Sequence, residues 1–281
     1  MKGLKLGVDA EVDNAFIGSI PELYESHLVP LIFERYAADL AARLVGRPLS
    51  RVLEIAAGTG VLTRALASTL HPNVSIVATD LNQAMLDRAA SVGTSRPVQW
   101  RVADAMSLPS QDEAFDAVVC QFGAMFFPDK AKAFAEARRV LKPGAVFVFS
   151  TWDRIEENEF ADVVTTALES LFPDNPPRFL ARTPHGYFDS RVIEDDLRRA
   201  GFEATPQIVT VSQRSRGSSA RIPAIAYCQG TPLRSEIERQ NPANPALLAE
   251  ATDAAEKAIA ARFGNGTVDG KIQAHVVTVE R

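Results

Sequence analysis

The sequence predicts an α/β protein with a doubly wound, largely parallel sheet, and three observations lead to this fold class. Residues 51–66 read RVLEIAAGTGVLTRAL, which is an apolar strand, a glycine turn and a helix in succession. Further apolar runs of strand length alternate with segments of helical periodicity. Acidic residues close three of the runs, at Glu54, Asp80 and Asp104. Because open α/β sheets bind ligands at the carboxyl ends of their strands, we expect these three carboxylates to line one cleft.

Periodicity and turn residues place the remaining elements in order. Strands are predicted at residues 52–55, 74–79, 98–103, 115–122, 145–151, 207–211 and 272–279. Helices are predicted after the glycine turn, after Asn82 as a cap, and at 130–141, 156–172, 190–200 and 244–264. The last of these has Asn244 as its cap, Pro245 in its first turn and Gly264 at its end.

Length and composition describe an ordinary globular protein. The chain has 281 residues, of which 46% are hydrophobic and 23% charged. The net charge of −5 offers no basic surface for nucleic acid. No apolar run approaches the roughly 20 residues of a membrane span, and we recognise no signal peptide. Cys120 and Cys228 show no metal-ligand spacing and are interpreted as buried thiols of a reducing compartment, so we predict a cytoplasmic protein without a metal site.

The glycine turn at Gly58 and Gly60 marks the predicted ligand site, unless it serves only to tighten the joint between strand and helix. Glycine lets the backbone approach a ligand closely, and the helix start offers unpaired N–H groups. A nicotinamide dinucleotide would require G-x-G-x-x-G, whereas Thr63 stands at the third glycine position. The carboxylate of Glu54 is a poor neighbour for a pyrophosphate and suits a cation. An NAD(P)-dependent oxidoreductase is therefore the weaker alternative.

This stretch resembles motif I of the class I S-adenosylmethionine-dependent methyltransferases, E/D-x-G-x-G-x-G. Glu54, Gly58 and Gly60 match, and Ala56 stands where the family has its first glycine, so that its methyl group would lie beside the cofactor path. The resemblance implies that S-adenosylmethionine binds here and leaves as S-adenosylhomocysteine. Because Ala56 departs from the motif, a relative that binds the cofactor without catalysing transfer stays an alternative.

Two further acidic positions extend the predicted cofactor site. Asp80 follows Gly60 by 20 residues, where doubly wound folds place an acid on the ribose hydroxyls; the alternative is an acid that caps a turn. Leu81 is assigned to the same site. Asp104 opens the string D-A-x-x-L-P, which resembles the middle signature of the methyltransferases. The resemblance implies that Asp104 accepts a hydrogen bond from the adenine amino group and that the backbone N–H of Ala105 contacts the ring.

The resemblance continues through the next strand and helix. Residues 115–119 read F-D-A-V-V, and residues 136–144 resemble the family string E-x-x-R-V-L-K-P-G-G. Asp116 would be structural, while Gln121 and Phe122 would line the methyl-transfer site, with Gln121 also touching the cofactor. Four ordered motifs over roughly a hundred residues are most similar to the type 11 methyltransferase domain of small-molecule and quinone-ring C-methyltransferases.

The family topology implies a Rossmann-like sheet of seven strands whose last strand is antiparallel. Added to it, we predict a helical cap built from the N-terminus and two insertions. The predicted parts are an N-terminal arm and cap helices (1–46), the cofactor-binding core (47–152), a first cap insertion (153–187), a core helix and strand (188–212), a second cap insertion (213–269) and the final core strand (270–281).

Two helices precede the first strand. The first opens at Pro21, and Pro30 is expected to break or kink it because proline lacks an N–H and crowds the preceding turn. The second covers residues 31–44. Each either covers the ligand mouth or packs on the outside of the sheet, and residues 1–18 are expected to form an arm.

The sequence indicates the acceptor and the catalytic groups only in outline. Small, largely apolar acceptors fit the quinone-methyltransferase resemblance, with carbon or oxygen as the methylated atom. His27 and His185 are the candidate bases, together with Gln121 as a catalytic residue, although a lone histidine is more often structural. The resemblance implies that Tyr24 closes over the methionine part of the cofactor, and Trp152 would form a wall of the acceptor pocket. A homodimer is compatible with the sequence.

Overall fold

The computed structural model describes Phe16 and residues 18–281. The predicted N-terminal arm therefore lies almost entirely outside the described residues. The strands are β1 (Arg51–Ile55), β2 (Ser75–Asp80), β3 (Gln99–Val102), β4 (Phe115–Gln121), β5 (Leu141–Trp152), β6 (Gln207–Gly217) and β7 (Val268–Glu280).

A π-helical segment, Tyr24–Phe33, separates the first two α-helices. The α-helices are α1 (Ile20–Leu23), α2 (Glu34–Ala42), α3 (Val61–Thr69), α4 (Gln83–Val92), α5 (Lys130–Val140), α6 (Glu159–Leu171), α7 (Phe179–Arg182), α8 (Ser190–Arg199), α9 (Arg221–Gln229), α10 (Leu233–Gln240) and α11 (Leu247–Phe263).

The seven strands form one sheet in the order β3-β2-β1-β4-β5-β7-β6. The pairs β2–β3, β1–β2, β1–β4 and β4–β5 are parallel, whereas β7 runs antiparallel to β5. The predicted doubly wound sheet of seven strands with an antiparallel last strand is thus confirmed. Strand order reverses between β1 and β4, which is the position where open α/β sheets bind ligands.

The chain divides into two compact units. The first takes its described residues from Met1–Ile32, Arg154–Gly186 and Ser212–Ile272. The second comprises Phe33–Asp153, Tyr187–Val211 and Gln273–Arg281. The domain boundaries predicted from the sequence stay a prediction.

Helix α2 packs against the sheet of the second unit. Leu40 of this helix and Leu44, just after its end, join a buried cluster with Leu62 of α3 and with Val52 and Val119 of the central strands. Burial of such side chains contributes about 1.5–3 kcal/mol each. The helix therefore packs on the outside of the sheet, which is one of the two positions that the sequence allows.

The sequence predicts a break or a kink at Pro30, and the break is wrong. The chain runs from Tyr24 through Pro30 to Phe33 as a π-helical segment and continues directly into α2 at Glu34. In an α-helix the proline ring would clash with the carbonyl group four residues earlier. The wider π-helical turn, with its i→i+5 pattern, relieves that clash and keeps the chain helical.

The first unit contains more helix than the sequence predicts. Residues 213–269 were expected to hold one clear helix, and the structure places α9 and α10 there in addition to α11. Helix α11 begins at Leu247 instead of at Pro245, because the Asn244 side chain accepts a hydrogen bond from the Ala246 N–H in a turn that precedes the helix. Strand β6 also extends to Gly217, beyond the predicted end at Val211.

Glu159 of α6 ties three parts of this unit together. Its carboxylate accepts a hydrogen bond from the Arg262 guanidinium of α11 at 2.6 Å and another from the Lys271 N–H of β7 at 2.6 Å. One carboxylate therefore joins a helix of the first insertion to a helix of the second insertion and to the final strand.

Candidate active site

The turn after β1 has an unusual backbone. Ala56, Gly58 and Gly60 have φ angles of 54°, 57° and 84°, all in the left-handed region that favours glycine. At Gly60 space is also limited, because an added Cβ would lie 2.9 Å from the Trp100 ring. The two glycines are thus required by conformation, and Ala56 adopts a glycine-like conformation at the position where the family motif has glycine.

Asp80 connects this turn to the end of β2. Its carboxylate accepts hydrogen bonds from the N–H groups of Gly58 and Asn82, each at 2.8 Å. Burial raises the pKa of Asp80 in spite of these hydrogen bonds. Asn82 occupies the N-cap position of α4, as predicted, but its side chain makes no capping hydrogen bond.

The strand register brings the three predicted carboxylates to one edge of the sheet. Glu54 lies opposite Ala78 in β2, two residues before Asp80. The N–H of Ala103 donates to the Asp80 carbonyl group at 2.9 Å, so Asp104 follows directly beside it. The Asp104 side chain accepts a hydrogen bond from the Met106 N–H at 2.8 Å, which shapes the turn after β3. Glu54, Asp80 and Asp104 therefore end three neighbouring strands, β1, β2 and β3.

Glu54 differs from the anionic group that the sequence predicts. Only 1% of the residue is exposed, and burial raises its pKa to about 8, although the Thr63 hydroxyl donates a hydrogen bond to it at 2.6 Å. Desolvation disfavours the charged form of a carboxyl group. Glu54 is therefore largely protonated at neutral pH in this structure.

Thr63 is a site residue that sequence reasoning missed. In the sequence it is only the residue that stands in place of a third glycine. In the structure its buried hydroxyl donates a hydrogen bond to the Glu54 carboxyl group. The spacing of nine residues from the strand end to the first turn of α3 is the signal that could have identified the pair.

Gln121 lies at the end of β4. Its side-chain amide can donate hydrogen bonds through Nε2 and accept them through Oε1. Its Nε2 donates a hydrogen bond to the Phe33 carbonyl group at 2.8 Å. Its Oε1 is buried and has no hydrogen-bond partner among the residues that the structure describes. A buried acceptor without a partner is costly in a folded protein. The amide oxygen is therefore available for a donor on a ligand.

An aromatic cluster stands beside Gln121. The rings of Phe122 and Trp152 are stacked, with centroids 3.8 Å apart and planes 5° from parallel. Tyr36 packs edge-on against both rings, and its hydroxyl donates to the Val211 carbonyl group at 3.0 Å. Phe33 completes the cluster. The sequence predicted Phe122 and Trp152 here but missed Phe33 and Tyr36, because their helix contacts the strands only in the folded chain.

The backbone of Phe122 is left-handed as well, with a φ angle of 52°. The next residue, Gly123, lies so close to the turn after β1 that an added Cβ would be 2.4 Å from the Ala56 Cβ. Residues held in sparsely populated backbone regions cluster at functional sites. Two such residues, Ala56 and Phe122, flank one close contact here.

The predicted site residues Leu81 and Ala105 follow Asp80 and Asp104 directly. Leu81 is 54% exposed, which is high for a large apolar side chain. Ala105 lies half-buried in the turn after β3. Both belong to the same edge of the sheet as the carboxylates.

Three predicted site residues belong to the first unit. The rings of Tyr24 and Phe16 pack edge-on at 5.9 Å, and His27 Nδ1 is hydrogen-bonded to the Ser26 hydroxyl at 2.8 Å. His185 is buried, and its backbone N–H donates to the Leu180 carbonyl group. Their roles at the cofactor and as bases stay predictions.

Asp116 occupies the opposite end of β4 from Gln121. Its carboxylate accepts hydrogen bonds from the N–H groups of Ser50 and Arg51 and pairs with Lys142 at 2.6 Å. Partial burial alone would raise the pKa of Asp116, but the hydrogen bonds from Lys142 and Ser50 hold it well below the ordinary value. These contacts agree with the structural role that the sequence predicts.

Across the described residues, every helix is too short or too polar to cross a lipid bilayer.

Comparisons with known proteins give a consistent result. A family model described as "Methyltransferase domain" matches residues 53–149. The ubiquinone/menaquinone biosynthesis C-methyltransferase UbiE of Ectopseudomonas mendocina (strain ymp) is 32% identical over 185 residues, which cover 61% of this chain and 71% of the relative. The UbiE of Burkholderia mallei (strain SAVP1) is 34% identical over 170 residues, which cover 56% of this chain and 69% of the relative.

Solved structures share the fold. A putative methyltransferase from Bacillus halodurans C-125 superposes with a TM-score of 0.56 at 18% identity, covering 87% of this chain and 97% of the other.

Proposed function

This chain belongs to the class I S-adenosylmethionine-dependent methyltransferases, and we propose that it methylates a carbon or oxygen atom of a small, largely apolar ring compound. S-adenosylmethionine is the cofactor. The observation that carries the proposal is the stacked pair of Phe122 and Trp152 beside the unpartnered Oε1 of Gln121. A group of buried aromatic rings next to one hydrogen-bond acceptor suits an apolar ring compound that bears a hydroxyl group. The ubiquinone/menaquinone C-methyltransferases among its relatives support the same substrate class.

The residues at the sheet edge fit the cofactor. A carboxylate offers about four acceptor sites, so Asp80 and Asp104 keep acceptor capacity beyond the backbone N–H groups that they already bind. We assign Asp80 to the ribose hydroxyls and Asp104 to the adenine amino group. The exposed side chain of Leu81 would pack against the adenine ring, and the N–H of Ala105 would bind its edge.

The turn after β1 would hold the remainder of the cofactor. Thr59 stands between its two glycines, and the Thr59 hydroxyl is buried without a hydrogen-bond partner among the described residues. We assign the backbone of Ala56, Gly58 and Gly60 to the methionine part, with Glu54 beneath it. A ligand with polar groups would supply the hydrogen-bond partner that the Thr59 hydroxyl lacks.

The cofactor supplies a methyl group on a positively charged sulfonium, and this charge is lost on transfer. Phe122, Trp152 and Tyr36 exclude water from the end of β4 and β5 and would fix the plane of the acceptor ring. Gln121 would accept a hydrogen bond from an acceptor hydroxyl and orient it. His27 and His185 stay the candidates for removing the acceptor proton, and Tyr24 the candidate for covering the methionine part.

The proposal is tested by methyl transfer to 1,4-naphthoquinol, with oxidised 1,4-naphthoquinone as the matched control. The reduced ring is electron-rich and nucleophilic at carbon and oxygen, whereas the quinone is electron-poor. We expect label from methyl-labelled S-adenosylmethionine to appear in the quinol only, and Trp152→Leu to raise KM more than it lowers kcat. Equal labelling of both forms, or labelling of neither while S-adenosylhomocysteine still binds, would overturn the acceptor class and leave the family intact.

Family membership removes the nicotinamide-dependent oxidoreductase as an alternative. Cytoplasmic location, absence of nucleic-acid binding and a homodimer stay predictions from sequence.

A further inference from the structure

A second pocket lies in the second unit, between α8 and the strands β6 and β7. Its volume is about 410 Å³, within the range of about 300–1,000 Å³ that small-molecule sites occupy. None of its lining residues belongs to the cofactor or acceptor site proposed above. The side chains that matter for its chemistry are Phe188, Ser190, Glu194, Ile208, Thr210 and His275.

The histidine in this pocket already has partners at both ring nitrogens. His275 Nε2 is 3.3 Å from Asp153 Oδ1, and Nδ1 is 3.0 Å from the Thr210 hydroxyl. When the ring is protonated, Asp153 neutralises it. His275 therefore does not supply a free positive charge to the pocket.

Glu194 is the lining residue whose charge is not compensated. Within the described part of the chain its carboxylate makes no ion pair, and it is half-buried. The neighbouring acids on or before α8 are paired, Asp189 with Arg191 at 3.0 Å and Asp195 with Arg198 at 3.0 Å. The local charge at the pocket is therefore negative.

An anion would fit this pocket poorly, although the N-terminus of α8 lies beside it. The Asp189 carboxylate already accepts the hydrogen bond from the Arg191 N–H at the start of the helix. Asp189 therefore occupies the N–H at the helix start, and an anionic group in the pocket would meet the uncompensated carboxylate of Glu194. Like charges at short range are repulsive.

We propose that this pocket binds a small organic cation, namely a primary or secondary ammonium group carried on an apolar or aromatic body. Glu194 supplies the opposite charge, and the hydroxyl oxygens of Ser190 and Thr210 can accept the ammonium N–H groups. Phe188, which is 39% exposed, presents an aromatic face to the cation, and Ile208 contacts the apolar body.

The test titrates the full chain, saturated with S-adenosylhomocysteine, with 2-phenylethylamine in a calorimeter. Neutral 2-phenylethanol and anionic 3-phenylpropionate are the matched probes. We expect saturable binding of the amine at one molecule per chain, at least about tenfold weaker binding of both other probes, and at least about tenfold weaker amine binding to Glu194→Gln. Glu203→Gln, which removes an exposed carboxylate that does not line the pocket, should bind the amine like the parent.

Several results would overturn the proposal. Equal binding of the alcohol would show an apolar pocket without charge selectivity, and preferred binding of the propionate would show an anion site. Unchanged amine affinity in Glu194→Gln, or equal losses in both variants, would remove the role of Glu194. No binding, or amine binding only to protein free of S-adenosylhomocysteine, would show that the pocket takes no such cation. Melting curves of both variants confirm that each is folded.

Discussion

The backbone N–H of Gly58 donates a hydrogen bond to Oδ2 of Asp80 at 2.8 Å, which joins the turn after β1 to the carboxyl end of β2. The same carboxylate accepts the N–H of Asn82 through its other oxygen. One side chain thus fixes the shape of the glycine turn and stands at the edge where three acids meet. Its contribution to folding and its contribution to binding can be separated by experiment.

Replacing Asp80 by asparagine is expected to weaken S-adenosylhomocysteine binding by about tenfold or more. Hydrogen bonds to a charged group contribute roughly 1.5–3 kcal/mol, and asparagine offers one acceptor oxygen instead of two. Isothermal titration calorimetry measures the change. Asp87→Asn, on the exposed face of α4, is the matched control and should bind like the parent. A lower melting temperature without loss of affinity would show that Asp80 stabilises the turn and does not bind the ligand.

Ala56→Gly is expected to stabilise the fold by about 0.5–1 kcal/mol. The left-handed φ angle of 54° strains alanine and not glycine. Urea denaturation measures the free energy of unfolding. The control is Ala38→Gly on the exposed face of α2, which should destabilise by about 1 kcal/mol because glycine disfavours a helix interior. Losses of equal size in both variants would show that Ala56 is not strained.

Gly123→Ala is expected to destabilise the protein by about 1–3 kcal/mol through overpacking. The new methyl group would meet the Ala56 Cβ at 2.4 Å and the Cys120 sulfur at 2.8 Å. In the double variant with Ala56→Gly, part of the loss should be recovered, because one of the two clashes is removed. Strictly additive effects in urea denaturation would mean that the segments around Ala56 and Gly123 do not touch.

Glu54 should make stability depend on pH. Its pKa rises from the ordinary 4.5 to about 8 on folding, so between these values the native state keeps a proton that the unfolded state has lost. The free energy of unfolding should therefore fall as the pH rises from 4.5 to 8, with a slope of up to about 1.4 kcal/mol per pH unit from this group. Glu54→Gln should remove that component from a series of urea denaturations. Identical slopes for parent and variant would contradict the prediction.

The same carboxyl group should respond to the charge of the ligand. A sulfonium near Glu54 favours the ionised form, so S-adenosylmethionine should release more protons on binding at pH 7 than S-adenosylhomocysteine, whose thioether sulfur carries no charge. Calorimetry in buffers of different ionisation enthalpy counts these protons. The difference should vanish in Glu54→Gln, and a difference that persists there would assign the proton to another group.

The sequence predicted the sheet edge well because its signals are local. Glu54, Asp80 and Asp104 each close an apolar run of their own, and parallel pairing then brings the run ends together. The strand positions followed from periodicity, and the seven-stranded sheet with its antiparallel last strand followed from the family resemblance. These features depend on neighbours in sequence and needed no knowledge of tertiary contacts.

What the sequence could not predict depends on contacts between distant segments. Tyr36 reaches Phe122, Trp152 and Val211 only after α2 has packed on the sheet. The neutral state of Glu54 depends on complete burial, which periodicity does not measure. The π-helical segment through Pro30 departs from the rule that proline breaks an α-helix. The close contact of Gly123 with Ala56 has no signal in the sequence.

The left-handed backbone at position 122 affects how saturation mutagenesis of this enzyme would be interpreted. Most replacements of Phe122 would fail for a steric reason, since β-branched and bulky residues seldom tolerate this torsion angle. Glycine, asparagine and aspartate accept it more readily and remove the ring all the same. Activity among these three replacements, and not the average over all nineteen, would reveal what the aromatic ring contributes to turnover.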